Sequence, residues 1–177
     1  MIENVIGGMS YPFAIATNFK INGRDYLIPM VVEESSVVAA ASNAAKMLRE
    51  GEGIIAKAER QYMIGQIHLV KIGSPRYVAF KILERKDEIL DLANQQDPVL
   101  VRLGGGAKDI EVRVIETKRG LAVIVHLIID VLDAMGANAV NTIVEAVAPM
   151  LEKIAGGEAR LRIVSNYATY RIVRAWA

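Results

Sequence analysis

The stretch IEVRVIETKRGLAVIVHLIIDV, residues 110–131, decides the fold of this chain. It contains two runs rich in β-branched residues, Ile110–Thr117 and Leu121–Val131, separated only by Lys118-Arg119-Gly120. Such runs favour extended backbone, and a connection this short joins neighbouring antiparallel strands. We therefore predict that residues 110–131 form one long β-hairpin.

The sequence on either side of this hairpin predicts a strand and a helix on each flank. The signals are alternating apolar residues for a strand and apolar residues three or four positions apart for a helix. The expected elements are a strand at Gln66–Ile72, one long helix from Pro75 to Asp97, the hairpin, a helix from about Asn138 that Pro149 should kink, and a strand at Ala159–Ser165.

In chain order, residues 62–165 read β-α-β-β-α-β. This order predicts the fold class α+β, with a ferredoxin-like domain in which two helices cover one face of an antiparallel four-stranded sheet. The run Gly104-Gly105-Gly106 lacks the order of a dinucleotide-binding glycine motif, so we interpret it as a flexible connection before the hairpin.

Residues 1–50 form a separate and smaller piece. Asn22-Gly23 between two short apolar runs is typical of a hairpin turn, and Ser35 and Ser36 are suitable N-caps for a helix that ends before Gly51. This piece is too small to build a core of its own. We therefore expect an apolar patch over residues 1–50 and 168–177 that is either exposed or covered by another chain.

The composition excludes several classes of function. Hydrophobic residues make up 53% of the 177 residues and the mean hydropathy is +0.28, which excludes a disordered chain. The chain has no cysteine and two histidines, so disulfides, thiolate catalysis and Cys- or His-rich metal sites are excluded. A net charge of +1 argues against nucleic acid as a partner, and no apolar run is long enough to span a membrane. We expect a soluble cytoplasmic protein.

The first candidate site is Glu33-Glu34-Ser35-Ser36, at the start of the first predicted helix. Acidic residues there commonly do no more than complement the helix dipole. The alternative is that a glutamate exchanges a proton with a substrate, which requires burial or a charged neighbour to adjust its pKa. The residues alone leave both interpretations open.

The second candidate is the loop between the last hairpin strand and the following helix. Backbone N–H groups and a helix dipole can hold a phosphate or pyrophosphate there, whereas the alternative is a plain turn in which a glycine relieves strain. The loop comprises Asp133, Ala134, Met135, Gly136, Ala137 and Asn138.

The third candidate is Asp97, at the end of the long predicted helix. An acid at a helix C-terminus is unfavourable for the dipole. Asp97 is therefore either a turn residue before Pro98 or a residue kept for a ligand contact.

Several long motifs in one order resemble the class II hydroxymethylglutaryl-CoA reductases. The resemblance covers essentially the whole chain, although Ser35 stands where that family usually has proline. The motifs are Ile2–Gly7, Ala16–Phe19, Ile21–Asp25, Pro29–Ser42, Arg85–Ile89, Gly104–Gly106, Asp130–Thr142 and Arg160–Ile163.

The resemblance implies an oxidoreductase that interconverts hydroxymethylglutaryl-CoA and mevalonate plus CoA by two hydride transfers with a nicotinamide cofactor. It implies that residues 1–58 are part of a large substrate-binding domain and that residues 59–165 are a small ferredoxin-like NAD(P)-binding domain. Residues 166–177 would return into the large domain. It also implies a homodimer.

The resemblance also implies roles for individual residues. Glu34 would be the catalytic glutamate, and Ser36 would contact the hydroxymethylglutaryl group. The loop of residues 133–138 would bind the cofactor, Asp97 would hydrogen-bond the adenosine ribose, and Asn166 would lie near the cofactor pocket. An acid at position 97 would repel a 2′-phosphate, so NAD is expected, with NADP possible.

The family's other catalytic groups, a lysine, a second acid and a C-terminal histidine, would follow Ala177. We therefore expect the 177-residue chain alone to be inactive. The alternative is a stand-alone ferredoxin-like module that binds a nucleotide or effector without catalysis. RNA binding would need exposed aromatic residues on the two hairpin strands, which have none.

Overall fold

The computed structural model describes residues 3–118 and 120–177. The strands among them are β1 (Phe13–Ile21), β2 (Arg24–Val31), β3 (Ile55–Ala58), β4 (Tyr62–Val70), β5 (Gly106–Thr117), β6 (Gly120–Asp130), β7 (Glu158–Val164) and β8 (Val173–Trp176). The helices are α1 (Val37–Arg49), α2 (Pro75–Glu84), α3 (Lys86–Asn94), α4 (Pro98–Arg102) and α5 (Ala137–Ala155).

The chain divides into two units. One contains the residues up to Ala58 together with Val173–Ala177, and the other contains Glu59–Ile172. Residues 166–172 are therefore grouped with the second unit. Two backbone hydrogen bonds account for this, because Glu59 N–H donates to Ile172 O at 3.1 Å and Tyr62 N–H donates to Tyr170 O at 3.1 Å.

The second unit is built on the predicted hairpin. Its strands form one fully antiparallel sheet in the order β5-β6-β4-β7. Alternate residues of β4 and β6 are completely buried against α2, α3 and α5, as the two-residue period of a strand requires. The central members of this core are Ile67, Leu69, Ile82, Ile89, Val125, Leu127, Val144 and Leu151. Arg119, in the predicted turn, lies outside the described residues.

The prediction of one continuous helix from Pro75 to Asp97 is wrong. The segment is divided into α2 and α3 at Arg85, whose φ of −104° and ψ of 24° leave the helical region. A third short helix, α4, begins at Pro98, because a proline suits the first position of a helix and not its interior. The helix expected after the loop is present and continues through Pro149 to Ala155.

The run Gly104-Gly105-Gly106 is not a flexible connection. A Cβ on Gly105 would lie 2.7 Å from Asp130 O, and one on Gly106 would lie 2.4 Å from Asn94 Oδ1. The Asn94 side chain bonds both the N–H and the C=O of Ala107, at 2.8 and 3.2 Å. Gly105 and Gly106 therefore allow the start of β5 to pack closely against α3, α4 and the end of β6.

The first unit contains the expected hairpin, in which β1 and β2 pair with Phe13 opposite Val31 and turn at Asn22-Gly23. Helix α1 packs on one face of this pair, where Ala16 is completely buried. Strands β3 and β8 form a second antiparallel pair that the sequence did not reveal. As expected, apolar side chains remain exposed in this unit, with Phe13 at 74% and Val31 at 63%. Among the described residues, no helix is long and apolar enough to cross a membrane.

Candidate functional site

The two candidate residues of the first unit lie together at the start of α1. Ser36 is the N-cap residue, and its hydroxyl donates to Glu34 Oε1 at 3.3 Å instead of capping a backbone N–H. Both side chains are exposed. The Glu34 carboxylate therefore lies next to a hydroxyl and the positive end of a helix, and its second oxygen remains open to a ligand.

The loop after β6 is held in a tight conformation by its own backbone. Leu132 has a left-handed φ of 54°, and its N–H donates to Asp130 Oδ1 at 3.0 Å. Ala134 N–H then donates to Val131 O at 3.1 Å, which closes a turn. The turn leads the chain from the buried end of β6 to the first residue of α5.

Gly136 is required at the last position before α5. Its φ is +89°, and a Cβ there would lie 2.5 Å from Met63 Sδ and 2.7 Å from Val131 Cγ2. A side chain would therefore meet both an unfavourable backbone conformation and an occupied space. The hypothesis of a strain-relieving glycine and the hypothesis of an anion-binding loop are compatible, since this turn exposes the helix start.

The N-terminus of α5 has the properties of an anion site. Its N-cap residue is a glycine with no side chain to occupy the first N–H groups, and its first turn holds no acidic residue. The free N–H groups and the dipole of a 19-residue helix favour a negative charge at this point. Such donors suit the oxygens of a phosphate group, and Ala137 adds little bulk in front of them.

Arg171 is a functional candidate that the sequence did not indicate. Its Nη2 donates to Ala134 O at 3.4 Å, within the loop. The segment that carries it is fixed by Tyr170, whose hydroxyl donates to the Glu111 carboxylate on β5 and whose pKa that carboxylate raises. Arg171 is 37 residues from Ala134 in the sequence, and no local pattern predicts that contact.

Asp97 has a structural role in the observed fold. It is the N-cap residue of α4, and its Oδ1 accepts from Leu100 N–H at 2.9 Å. Asp97 therefore does not end the long predicted helix but caps the start of α4, where an acid is favourable for the dipole. One of its carboxylate oxygens remains for a ligand. A surface cavity of about 530 Å³ lies beside it, lined by Asp91, Asn94, Gln95, Pro98, Val101 and Arg102.

Asn166 follows β7 and has an exposed side chain. Its carbonyl accepts from Ala168 N–H at 3.0 Å, which begins the segment that ends at Arg171. In the part of the chain that is described, no hydrogen bond joins Asp97 or Asn166 to the loop of residues 133–138. The same part holds no group of three His, Cys, Asp or Glu side chains suited to a metal ion.

Comparison with known protein families places the whole chain in one match. A sequence model described as hydroxymethylglutaryl-coenzyme A reductase matches residues 1–177. The chain is 59% identical over 177 residues to a 3-hydroxy-3-methylglutaryl-coenzyme A reductase of Archaeoglobus fulgidus, covering 100% of this chain and 41% of the relative. It is 36% identical over 172 residues to a probable reductase of Borreliella burgdorferi, covering 94% of this chain and 37% of the relative.

Solved structures agree with the sequence comparison. A 3-hydroxy-3-methylglutaryl-coenzyme A reductase from Streptococcus pneumoniae superposes with a TM-score of 0.94 at 40% identity, covering 98% of this chain and 41% of that one. A class II enzyme of the same organism, described as bound to NADPH in open conformations, gives a TM-score of 0.94 at 41% identity, covering 98% of this chain and 42% of that one. The chain thus spans about two fifths of the length of these proteins.

Proposed function

Because the chain belongs to the hydroxymethylglutaryl-coenzyme A reductase family, we propose that it supplies part of an enzyme that interconverts hydroxymethylglutaryl-CoA and mevalonate plus CoA. The observation that carries this proposal is the turn at Gly136, which leaves the start of α5 open for an anion within a chain matched along its entire length. We propose the complete protein as a homodimer.

The proposed cofactor unit is a ferredoxin-like domain of residues 59–165. Its β-α-β-β-α-β order and its antiparallel strand order support this assignment, with the first helix divided into α2, α3 and α4. The segment 166–177 connects it back to the proposed substrate-binding part, residues 1–58. Strand β8 supports this return, because it pairs with β3 of that part.

In the cofactor unit, the loop of residues 133–138 and the first N–H groups of α5 hold the pyrophosphate. Arg171 keeps the loop in place through Ala134 O and brings a positive charge close to it. Asp97 and Asn166 bind more distant parts of the dinucleotide. The nicotinamide cofactor supplies the hydride, and these residues bind and orient it.

We propose NAD as the cofactor of this chain. The carboxylate of Asp97 has one oxygen free to accept from a ribose hydroxyl, and its charge opposes a 2′-phosphate. The Streptococcus pneumoniae protein is described as bound to NADPH. NADP therefore remains the competing cofactor, and Asp97 is the residue at which the two are distinguished.

In the substrate part, Glu34 handles the proton at the oxygen derived from the thioester carbonyl, and Ser36 binds the hydroxymethylglutaryl group. The hydrogen bond from Ser36 fixes one Glu34 oxygen and leaves the other to face a substrate. A glutamate that transfers protons also needs burial or a charged neighbour that adjusts its pKa to the reaction. We propose that the part of the enzyme outside these 177 residues supplies this neighbour, so that the chain alone has no turnover.

The first prediction tests this function with a chimera. This chain replaces the matching 41% of the Archaeoglobus fulgidus relative, and oxidation of NADH or NADPH by hydroxymethylglutaryl-CoA is followed by absorbance. We expect an active chimera. Glu34→Gln should lower kcat by about 100-fold or more with little change in cofactor affinity, as expected for loss of a proton donor.

The adjacent exposed residue supplies a matched control. Glu33→Gln removes the same charge one position earlier and should leave kcat within about threefold. A folded chimera without activity, beside an active parent enzyme, would count against the proposed function. Equal losses in the two variants would show that Glu34 acts only through the charge of the helix start.

A further inference from the structure

The open face of the sheet in the second unit contains a cavity that the proposed function does not use. It has a volume of about 560 Å³ and lies where β6 begins, whereas the cofactor loop follows the end of β6. Eight residues separate Ala122 in the cavity from Asp130 before the loop, a separation of roughly 25 Å along a strand. The cavity is therefore a separate site on the same strand.

The floor of the cavity is apolar. It is formed by side chains on the face opposite the helices, because Val123 and Val125, on the alternate positions of β6, are completely buried in the core. The apolar floor residues on this face are Val70, Ile115, Ala122 and Ile124, and His68 also lines the cavity. A volume of this size and an apolar lining suit a small organic ligand.

One wall of the cavity is basic because of a β-bulge. Between β4 and β7, His68 pairs with Leu161 and Leu69 pairs with Ala159, so Arg160 is an extra residue without a partner. Regular alternation would place Arg160 on the same face as Arg162, which bonds Glu145 of α5 at 3.1 Å. The bulge instead directs Arg160 to the open face, where it lines the cavity.

Lys71 provides a second cation at the same wall. Its φ is +58°, a conformation that is uncommon for a lysine, and it too lines the cavity. Glu158 joins the two cations, with Oε1 2.6 Å from Lys71 Nζ and Oε2 2.9 Å from Arg160 Nη2. One carboxylate between two cations leaves a net charge of +1 and fixes both side chains at the rim.

We propose that this cavity binds a small amphipathic carboxylate, with its alkyl or aryl part on the apolar floor and its carboxylate on Arg160 and Lys71. The charge at the rim selects an anion, and the floor selects an apolar body. The inference goes beyond the proposed function, because none of its residues belongs to the cofactor loop or to the start of α1.

The experiment measures binding of sodium decanoate and of decanol, its uncharged analogue, to the 177-residue chain by calorimetry and amide NMR. We expect decanoate to bind more tightly than decanol and to shift the amide signals of Ala122 and Ile124. Arg160→Gln should weaken decanoate binding about tenfold and leave decanol binding unchanged, since it removes a charged hydrogen-bond donor. Arg76→Gln, on the exposed surface of α2, is the matched control and should change neither.

A second variant avoids the buried floor. Lys71→Glu replaces an exposed cation at the rim of the cavity by an acid and should abolish decanoate binding, whereas Lys153→Glu, at an exposed position of α5, should not. The proposal is overturned by decanoate binding that Arg160→Gln leaves intact, by shifts confined to other regions, or by no binding. It is also overturned if sedimentation shows that a second copy of the chain occupies this face and that Lys71→Glu separates the copies.

Discussion

Asp97 combines a structural and a proposed functional role that two substitutions can separate. Asparagine is as good an N-cap as aspartate, so Asp97→Asn keeps the hydrogen bond to Leu100 N–H and removes only the charge. In the chimera we expect this variant to shift the ratio of NADPH to NADH affinity about tenfold toward NADPH. Asp97→Ala should give the same shift and also lower the free energy of unfolding by about 1 kcal/mol. An unchanged cofactor ratio in Asp97→Asn would remove Asp97 from the cofactor site.

Gly136 provides a test of the loop itself. Gly136→Ala should lower the free energy of unfolding by about 1–3 kcal/mol and weaken cofactor binding, because the new Cβ meets Met63 and Val131 at a left-handed position. Gly104→Ala is the control, since Gly104 also has a positive φ, of 96°, but nothing lies within 4 Å of its Cβ. Denaturant unfolding measures both. Equal losses would show that backbone strain alone, and not the close contact, requires glycine at position 136.

Single residues were predictable from the sequence where a local rule applies. Asn22-Gly23 marks the first turn, as expected. The start of α4 at Pro98 was not expected, although a proline suits the first position of a helix. The roles of Arg160 and Arg171 were not predictable, because one depends on a bulge in strand pairing and the other on a contact 37 residues away. The three consecutive glycines were misinterpreted for the same reason. The close neighbours of Gly105 and Gly106 come from α3, α4 and β6, which a local sequence window does not contain.

At the scale of the elements, strand β6 carries a histidine into the sheet. His126 is 4% exposed, and Glu111 and Gln66 lie opposite it on the neighbouring strands. Burial lowers the pKa of His126 below 6.5, Arg113 and His68 lower it further, and Glu111 partly opposes them. The neutral imidazole is therefore the form that the folded sheet favours.

The sign of the resulting pH dependence follows from this lowered pKa. As the pH falls through 6.5, the unfolded chain takes up a proton before the folded chain does, so stability is lost from there downward. We expect the free energy of unfolding to fall between pH 7 and pH 5, with a contribution from His126 of at most about 1.4 kcal/mol per pH unit. His126→Gln should flatten this slope in denaturant titrations. His68→Gln removes the other histidine whose pKa burial lowers, so its effect on the same slope is the comparison.

A slope that His126→Gln leaves unchanged would assign the acid sensitivity to other groups.

Most elements of this unit were predicted correctly, because the β-branched runs and the apolar stripe of α5 are long enough to dominate local alternatives. The division at Arg85 was missed, since apolar spacing continues across it. Strands β3 and β8 were missed because each has four residues and its partner lies more than 100 residues away.

At the scale of the whole chain, the β1–β2 pair presents an exposed apolar face. Phe13 and Val31 lie opposite each other, Ile15 lies opposite Pro29, and the α1 side of the pair is the other face. We expect the 177-residue chain to self-associate through this face. The double variant Phe13→Ser/Val31→Thr should weaken that association about tenfold in sedimentation experiments, with thermal stability nearly unchanged. Exchanging Tyr77 and Phe80, exposed aromatic residues of α2, for serine should not weaken it.

The pairing of β3 with β8 also affects the order in which the chain can fold during its synthesis. The ribosome makes β3 before it makes β8, which follows only after the 114 residues Glu59–Ile172. The second unit has its own core and can fold as soon as it leaves the ribosome, whereas β3 has no strand partner until residue 173 arrives. The first unit therefore cannot pair β3 with β8 until residues 59–172 have been made. Mutations that slow folding of residues 59–172 should leave the unpaired β3 exposed to proteases for longer.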